Sequence, residues 1–183
     1  MAQKPGSYPP GKAGGGGASL PPARLIGLHR HSLTNVLIVG GTAAQRAEVA
    51  RAFHRESPLC GGSFVAVDCR DDQERLRMAL EGWAAASDSS DPNPFAAAEH
   101  GTLYLDPIEQ LSPDTQRLLL GLARRLHGES VGRRERPCAG RLVAGNPRGL
   151  PALVSEGRFL PALQDALDKV RVELEVAAPG APG

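Results

Sequence analysis

The sequence predicts an α/β fold, a three-layer α/β/α sandwich around a parallel sheet. Four short apolar runs predict it: Val36–Val39, Phe64–Val67, Leu103–Leu105 and Leu142–Ala144 have the length and composition of buried strands. Segments with helical periodicity separate them, and strands alternating with helices imply right-handed crossovers with both faces of the sheet covered. In such sheets ligands gather at the carboxyl ends of the strands. Gly40, Asp106 and Asn146 stand at those ends.

The bulk properties bound the function. A chain of 183 residues is long enough to bury one substantial core. A formal net charge of +1 and 4% aromatic residues give no case for direct DNA binding or for an anionic membrane as the main partner. Cys60, Cys69 and Cys138 are odd in number and lack C-x-x-C spacing, which predicts free thiols in a reducing cytoplasm. No apolar run reaches membrane-spanning length. A cytoplasmic protein is the expectation.

Residues 1–24, rich in Gly, Pro, Lys and Ser, are expected to form a disordered tail, and 177–183 a second one. One domain is expected over 25–176. Its first strand, Val36–Val39, runs into Gly40-Gly41-Thr42, and from Arg46 the residues Val49, Ala50 and Phe53 recur at helical spacing. Strand, glycine turn and helix form the layout of a phosphate-binding loop. Against G-x-x-x-x-G-K-[ST] counted from Gly40, the second glycine is Gln45, the Lys is Arg46 and the hydroxyl is Ala47. The layout is present without its chemistry.

After the second strand, Asp71 precedes Glu74 like a capping pair, and Leu76, Ala79, Leu80 and Trp83 share a helical face, with Trp83 read as a core anchor. Ser87–Pro94 reads as a surface loop. The third strand ends in Asp106, an acid one strand from a phosphate loop, where a nucleotidase keeps a Mg²⁺ ligand. A helix over Gln116–Arg125 faces the core with Leu118, Leu119, Leu122 and Leu126. The basic stretch 127–137, with Arg133, Arg134 and Arg136, reads first as a solvated loop and second as a contact for phosphate or an acidic partner. The fourth strand ends at Gly145-Asn146. A helix over Leu160–Leu167 and a short strand over Val170–Val176 close the domain.

Taken in order, these segments resemble the AAA+ core of sigma-54-dependent transcriptional activators, the sigma-54 interaction domain. Val36-Leu-Ile-Val-Gly resembles the strand into the family's Walker A loop. Glu48-Val-Ala-Arg-Ala-Phe-His54 with Ser57 resembles its A-R-x-I-H-x-x-S helix. Phe64-Val-Ala-Val-Asp-Cys69 resembles F-V-x-V-N-C, and Gly101-Thr-Leu-Tyr-Leu-Asp106 with Ile108, Leu111, Gln116 and Leu118-Leu119 resembles G-T-L-F-L-D-E-I…L…Q…L-L. Arg141–Asn146 is similar to the sensor strand, and Leu153-Val-x-x-Gly157-x-Phe159 to the segment that carries the arginine fingers.

The departures fall on the chemistry. The family's loop reads G-E-x-G-T-G-K-E, whereas Ala43 and Gln45 here put β-carbons where glycines admit phosphate. Arg46 keeps the charge in a different shape from Lys. The Walker B acid is Pro107, and the finger positions after Phe159 hold Leu160 and Ala166. The sigma-contacting G-A-F-T-G-A loop is replaced by residues 82–99, which contain no such string. The helical lid, a DNA-binding helix-turn-helix and a receiver domain are expected to be missing.

The resemblance therefore implies a P-loop NTPase fold carrying no catalytic residue set, used as a binding or regulatory module in signalling or transcription. Its expected partner is a protein, an intact AAA+ activator or another signalling protein; if the contact uses the vacated site edge, the basic 127–136 loop and Arg158 should lie in it. A vestigial nucleotide site would comprise Gly40, Gly41, Thr42, Arg46, Asp106 and Asn146, with Asp106 on metal only if Mg-nucleotide binds. No cofactor is expected under this reading. ATP-Mg binding at low affinity, with weak or no hydrolysis in sigma-54-dependent transcription, is the alternative.

Overall fold

The computed structural model describes residues 20–85, 100–126 and 140–175. In chain order these form α1 (Pro22–His29), β1 (Val36–Gly40), α2 (Ala43–Arg55), β2 (Phe64–Asp68), α3 (Gln73–Ala85) and β3 (Thr102–Asp106). A 3₁₀ turn (Ile108–Gln110), α4 (Pro113–Leu126), β4 (Arg141–Asn146), α5 (Pro151–Ser155), α6 (Pro161–Leu167) and β5 (Val170–Leu174) follow. Residues 1–19 and 176–183, the Ser87–Pro94 loop, the basic stretch 127–137 and Cys138 lie outside the described residues, as does the Trp83 side chain. The last residues of the expected first tail are described: residues 22–24 open α1, because proline at the first helical position suits a helix start.

The five strands make one sheet in the order β2-β3-β4-β1-β5, with every pairing parallel. Strand alternation divides the core in two. Val36, Ile38, Tyr104, Val143 and Val172 pack beneath Ala50 and Phe53 of α2 and Ile26 of α1. Leu37, Leu103, Leu105, Leu142 and Ala144 point the other way, onto α3, α4 and α6 through Leu76, Leu80, Leu119, Leu122 and Leu163. Helices thus cover both faces, giving the three layers expected.

Sequence chemistry sets the helix starts. Proline opens α1, α5 and α6, where its missing N–H has no helical partner to lose. α4 begins at Pro113, one turn before the expected Gln116, because the Ser112 hydroxyl accepts the Thr115 N–H at 3.3 Å and caps the turn. α3 starts at Gln73, directly after Asp72 rather than Asp71.

One strand differs from expectation. Phe64–Val67 is not fully buried: among the described residues β2 is a sheet edge, paired only with β3, and Ala66 on it is exposed. An apolar run shows that one face is covered, not how many neighbours the strand has.

The amino end of the central strand β4 is tied to the helices by Arg141, which is 1% exposed. Its guanidinium donates to the carbonyls of Phe53, His29 and Ser32 and lies over the Phe53 ring. Two of these carbonyls belong to the last turns of α1 and α2, where the helix dipole favours a cation. Burial still pulls the Arg141 pKa down, to about 10.

Candidate functional site

β1, β4 and β3 are consecutive in the sheet, so Gly40, Asn146 and Asp106 close one stretch of its carboxyl edge. Register sets Asn146 beside Val39, with Gly40 one residue further along β1. Gly40 and Gly41 both take positive φ, 84° and 58°. A β-carbon on Gly40 would sit 2.3 Å from the Leu174 carbonyl oxygen of β5, so the turn tolerates only glycine there.

The turn is short. Only Gly41 and Thr42 separate β1 from α2, whose first residue is Ala43 and not Arg46. A capping box causes this: Thr42 Oγ1 accepts the Gln45 N–H at 3.2 Å, and Gln45 Oε1 accepts the Thr42 N–H at 2.8 Å. Ala43, Ala44 and Gln45 are consequently wound into the first turn of the helix instead of lying open as a phosphate cradle.

Winding that turn carries Arg46 inward, to 3% exposure. Arg46 Nε donates to Asp106 Oδ1 at 3.0 Å and Nη2 to Asp106 Oδ2 at 3.1 Å, a bidentate pair. Nη1 donates to the carbonyls of Gly40 at 3.0 Å and Gly41 at 2.9 Å. Gly145 makes room, because a β-carbon on it would stand 2.5 Å from Asp106 Oδ1. Tyr104 lies two residues before Asp106 on the same face; its burial first, and the Asp106 charge second, raise its phenol pKa and keep it neutral.

Asn146 takes part in a different set. Its Nδ2 donates to Glu109 Oε2 at 2.7 Å, and its Oδ1 accepts the Arg148 N–H at 2.9 Å. The 3₁₀ turn after Pro107 brings Glu109 there, and burial raises the Glu109 pKa. Leu160 and Ala166 pack inward on the α3–α4–α6 side of the core. Arg158 is exposed and paired with Glu156 at 3.2 Å.

Of the residues expected in a nucleotide site, Gly40, Gly41, Arg46 and Asp106 are brought into direct contact. Thr42 serves as a helix cap and Asn146 turns to Glu109. Two participants were missed. Gly145 carried a signal, since glycine inside a strand marks a close approach; Glu109 carried none.

The arrangement does not fit a Mg-nucleotide. Both oxygens of Asp106 are held by Arg46, and two loop carbonyls face its guanidinium. The Thr42 and Gln45 amides, which a phosphate would seek, are engaged by the capping box. Among the described residues no group of three or more His, Cys, Asp or Glu is placed to hold a metal ion. No described helix is long and apolar enough to cross a membrane.

Known proteins share this framework. The chain is 28% identical over 165 residues to the response regulator protein FleR of Pseudomonas aeruginosa, covering 87% of the chain and 35% of FleR. It is 31% identical over 155 residues to the transcriptional regulatory protein ZraR of Escherichia coli, covering 81% of the chain and 35% of ZraR. The chain thus spans about a third of the length of these curated relatives. NtrX from Brucella abortus, solved in complex with ATP, superposes with a TM-score of 0.65 at 25% identity, over 83% of this chain and 35% of that one. The P-loop NTPase domain of a sigma-54 activator from E. coli superposes with a TM-score of 0.55 at 21% identity, over 77% of this chain and 96% of that one, which speaks for the fold. The sigma-54 interaction domain model matches residues 23–173, and the chain belongs to that family.

Proposed function

We propose that this sigma-54-activator-type domain is a binding or regulatory module of transcription control that does not turn over ATP. One observation carries the reading: the residue after Asp106, where the family resemblance places the water-activating acid, is Pro107, and Asp106 itself is held by Arg46. Proline has no group to accept a proton or to orient water, and without such a group phosphoryl transfer loses its positioned nucleophile. Leu160 and Ala166, at the finger positions, offer no cation to a neighbouring subunit. The preserved sheet supports docking beside an intact relative, so the proposed partner is a complete sigma-54 activator.

Purified chain is expected to release no phosphate from Mg-ATP above buffer. Added to a purified intact activator, it is expected to change that activator's ATPase rate in a dose-dependent way. Turnover by the chain that Asp106→Ala abolishes would overturn the first expectation, and an activator rate unaffected at any dose would overturn the second.

A further inference from the structure

We propose that the carboxyl edge of β1 and β3 is a guanidinium-binding site whose ligand is the chain's own Arg46, and that this internal ligand excludes phosphate. The proposal rests on the reading of the domain as one that does not turn over ATP, and it names what occupies the site instead.

The acceptors are arranged for a planar fork. Asp106 presents both carboxylate oxygens to Nε and Nη2, while the Gly40 and Gly41 carbonyls meet Nη1. Four of the five N–H donors of a guanidinium are thereby used. The charges balance, one cation against one carboxylate, with both side chains over nine-tenths buried. Three glycines shape the receptacle: Gly40 and Gly41 turn the backbone at positive φ, and Gly145 leaves space for the carboxylate. The capping box at Thr42 sets the helical register that aims Arg46 inward.

A lysine cannot satisfy this receptacle. Its ammonium is a compact point charge on a flexible stem and does not offer the fixed fork that spans both carboxylate oxygens and both carbonyls. A phosphate is excluded for the opposite reason, since it would meet carbonyl oxygens and a carboxylate where it needs donors.

The test is thermal unfolding of the full chain and of Arg46→Ala, Arg46→Lys, Asp106→Ala and Arg46→Ala/Asp106→Ala. Each is melted in buffer, in Mg²⁺, in Mg-ATP and in ethylguanidinium chloride, against sodium chloride of equal ionic strength. The wild type is expected to gain no stability over its sodium chloride control in any of them. Arg46→Ala should melt lower and be raised by ethylguanidinium over the sodium control, and Arg46→Lys should also melt below the wild type. The double variant should lose less than the sum of the single losses and ignore ethylguanidinium.

A melting temperature of the wild type that rises with Mg-ATP would overturn the proposal, and that arm needs no variant to fold. Additive single losses, or rescue of Arg46→Ala by Mg²⁺ but not by ethylguanidinium, would overturn the guanidinium assignment. Failure of the chain to alter an activator's ATPase rate would sink the partner reading while leaving these melting temperatures as expected.

Discussion

At the scale of single residues, two positions govern the packed polar groups. Gly145→Ala would drive a methyl into Asp106, a short side chain held at both oxygens and unable to swing away. Displacing it strands a buried charge, and breaking a buried pair typically costs about 3–5 kcal/mol. We expect Gly145→Ala to lose a few kcal/mol, read by urea unfolding; a loss within error would mean that the carboxylate is free to move. His54 supplies a pH dependence. Its Nδ1 lies 3.0 Å from Thr102 Oγ1, its ring packs on Phe64, and burial first and the Arg141 charge second lower its pKa below 6.5. The unfolded chain therefore binds the proton first. The stability due to neutral His54 is complete above pH 6.5 and declines as the pH falls through 6.5 toward the lowered folded value. His54→Gln should flatten the fall in melting temperature over that window, and an unchanged slope would assign it to other groups.

At the scale of elements, strands were more legible than helix ends. Leu103–Leu105 and Leu142–Ala144 read as buried because apolar residues occupy both faces, and Leu105 is 1% exposed in the central region of the sheet. Leu105→Ala should cost about 2–5 kcal/mol in chemical denaturation. A near-zero cost would contradict that burial. The start of α2 was misplaced because a phosphate-loop template counts helix from Arg46. The local signal, Thr42 followed three residues later by Gln45, pointed to Ala43 all along. Thr42→Ala removes that cap and should cost about 1 kcal/mol, with loss of amide-exchange protection in the first turn of α2. Protection that stays unchanged would mean that packing alone holds the turn.

At the scale of the molecule, the layered sheet was legible from the order of apolar and periodic segments, and the location of the site from the residues that end the strands. The bonding within the site was not. Motif spacing tells which strand end a residue occupies, but whether Arg46 reaches out to a ligand or back to Asp106 depends on three residues of helix phase. The same feature bears on assembly. If no nucleotide enters, none can bridge two copies, so the sedimentation profile of the purified chain should be identical with and without Mg-ATP. A shift to a larger species on adding Mg-ATP would refute this.

The winding of Ala43–Gln45 into α2 also sets what it would take to build a phosphate-binding loop on this chain. Arg46→Lys alone leaves one compact ammonium to serve the Asp106 carboxylate and two backbone carbonyls, a set that it does not span as the planar fork does. Glycines at positions 43 and 45 would remove the Gln45 Oε1 half of the capping box and loosen the first turn of the helix. Loop, helix start and arginine are thus coupled, and a phosphate cradle would need all three to change together.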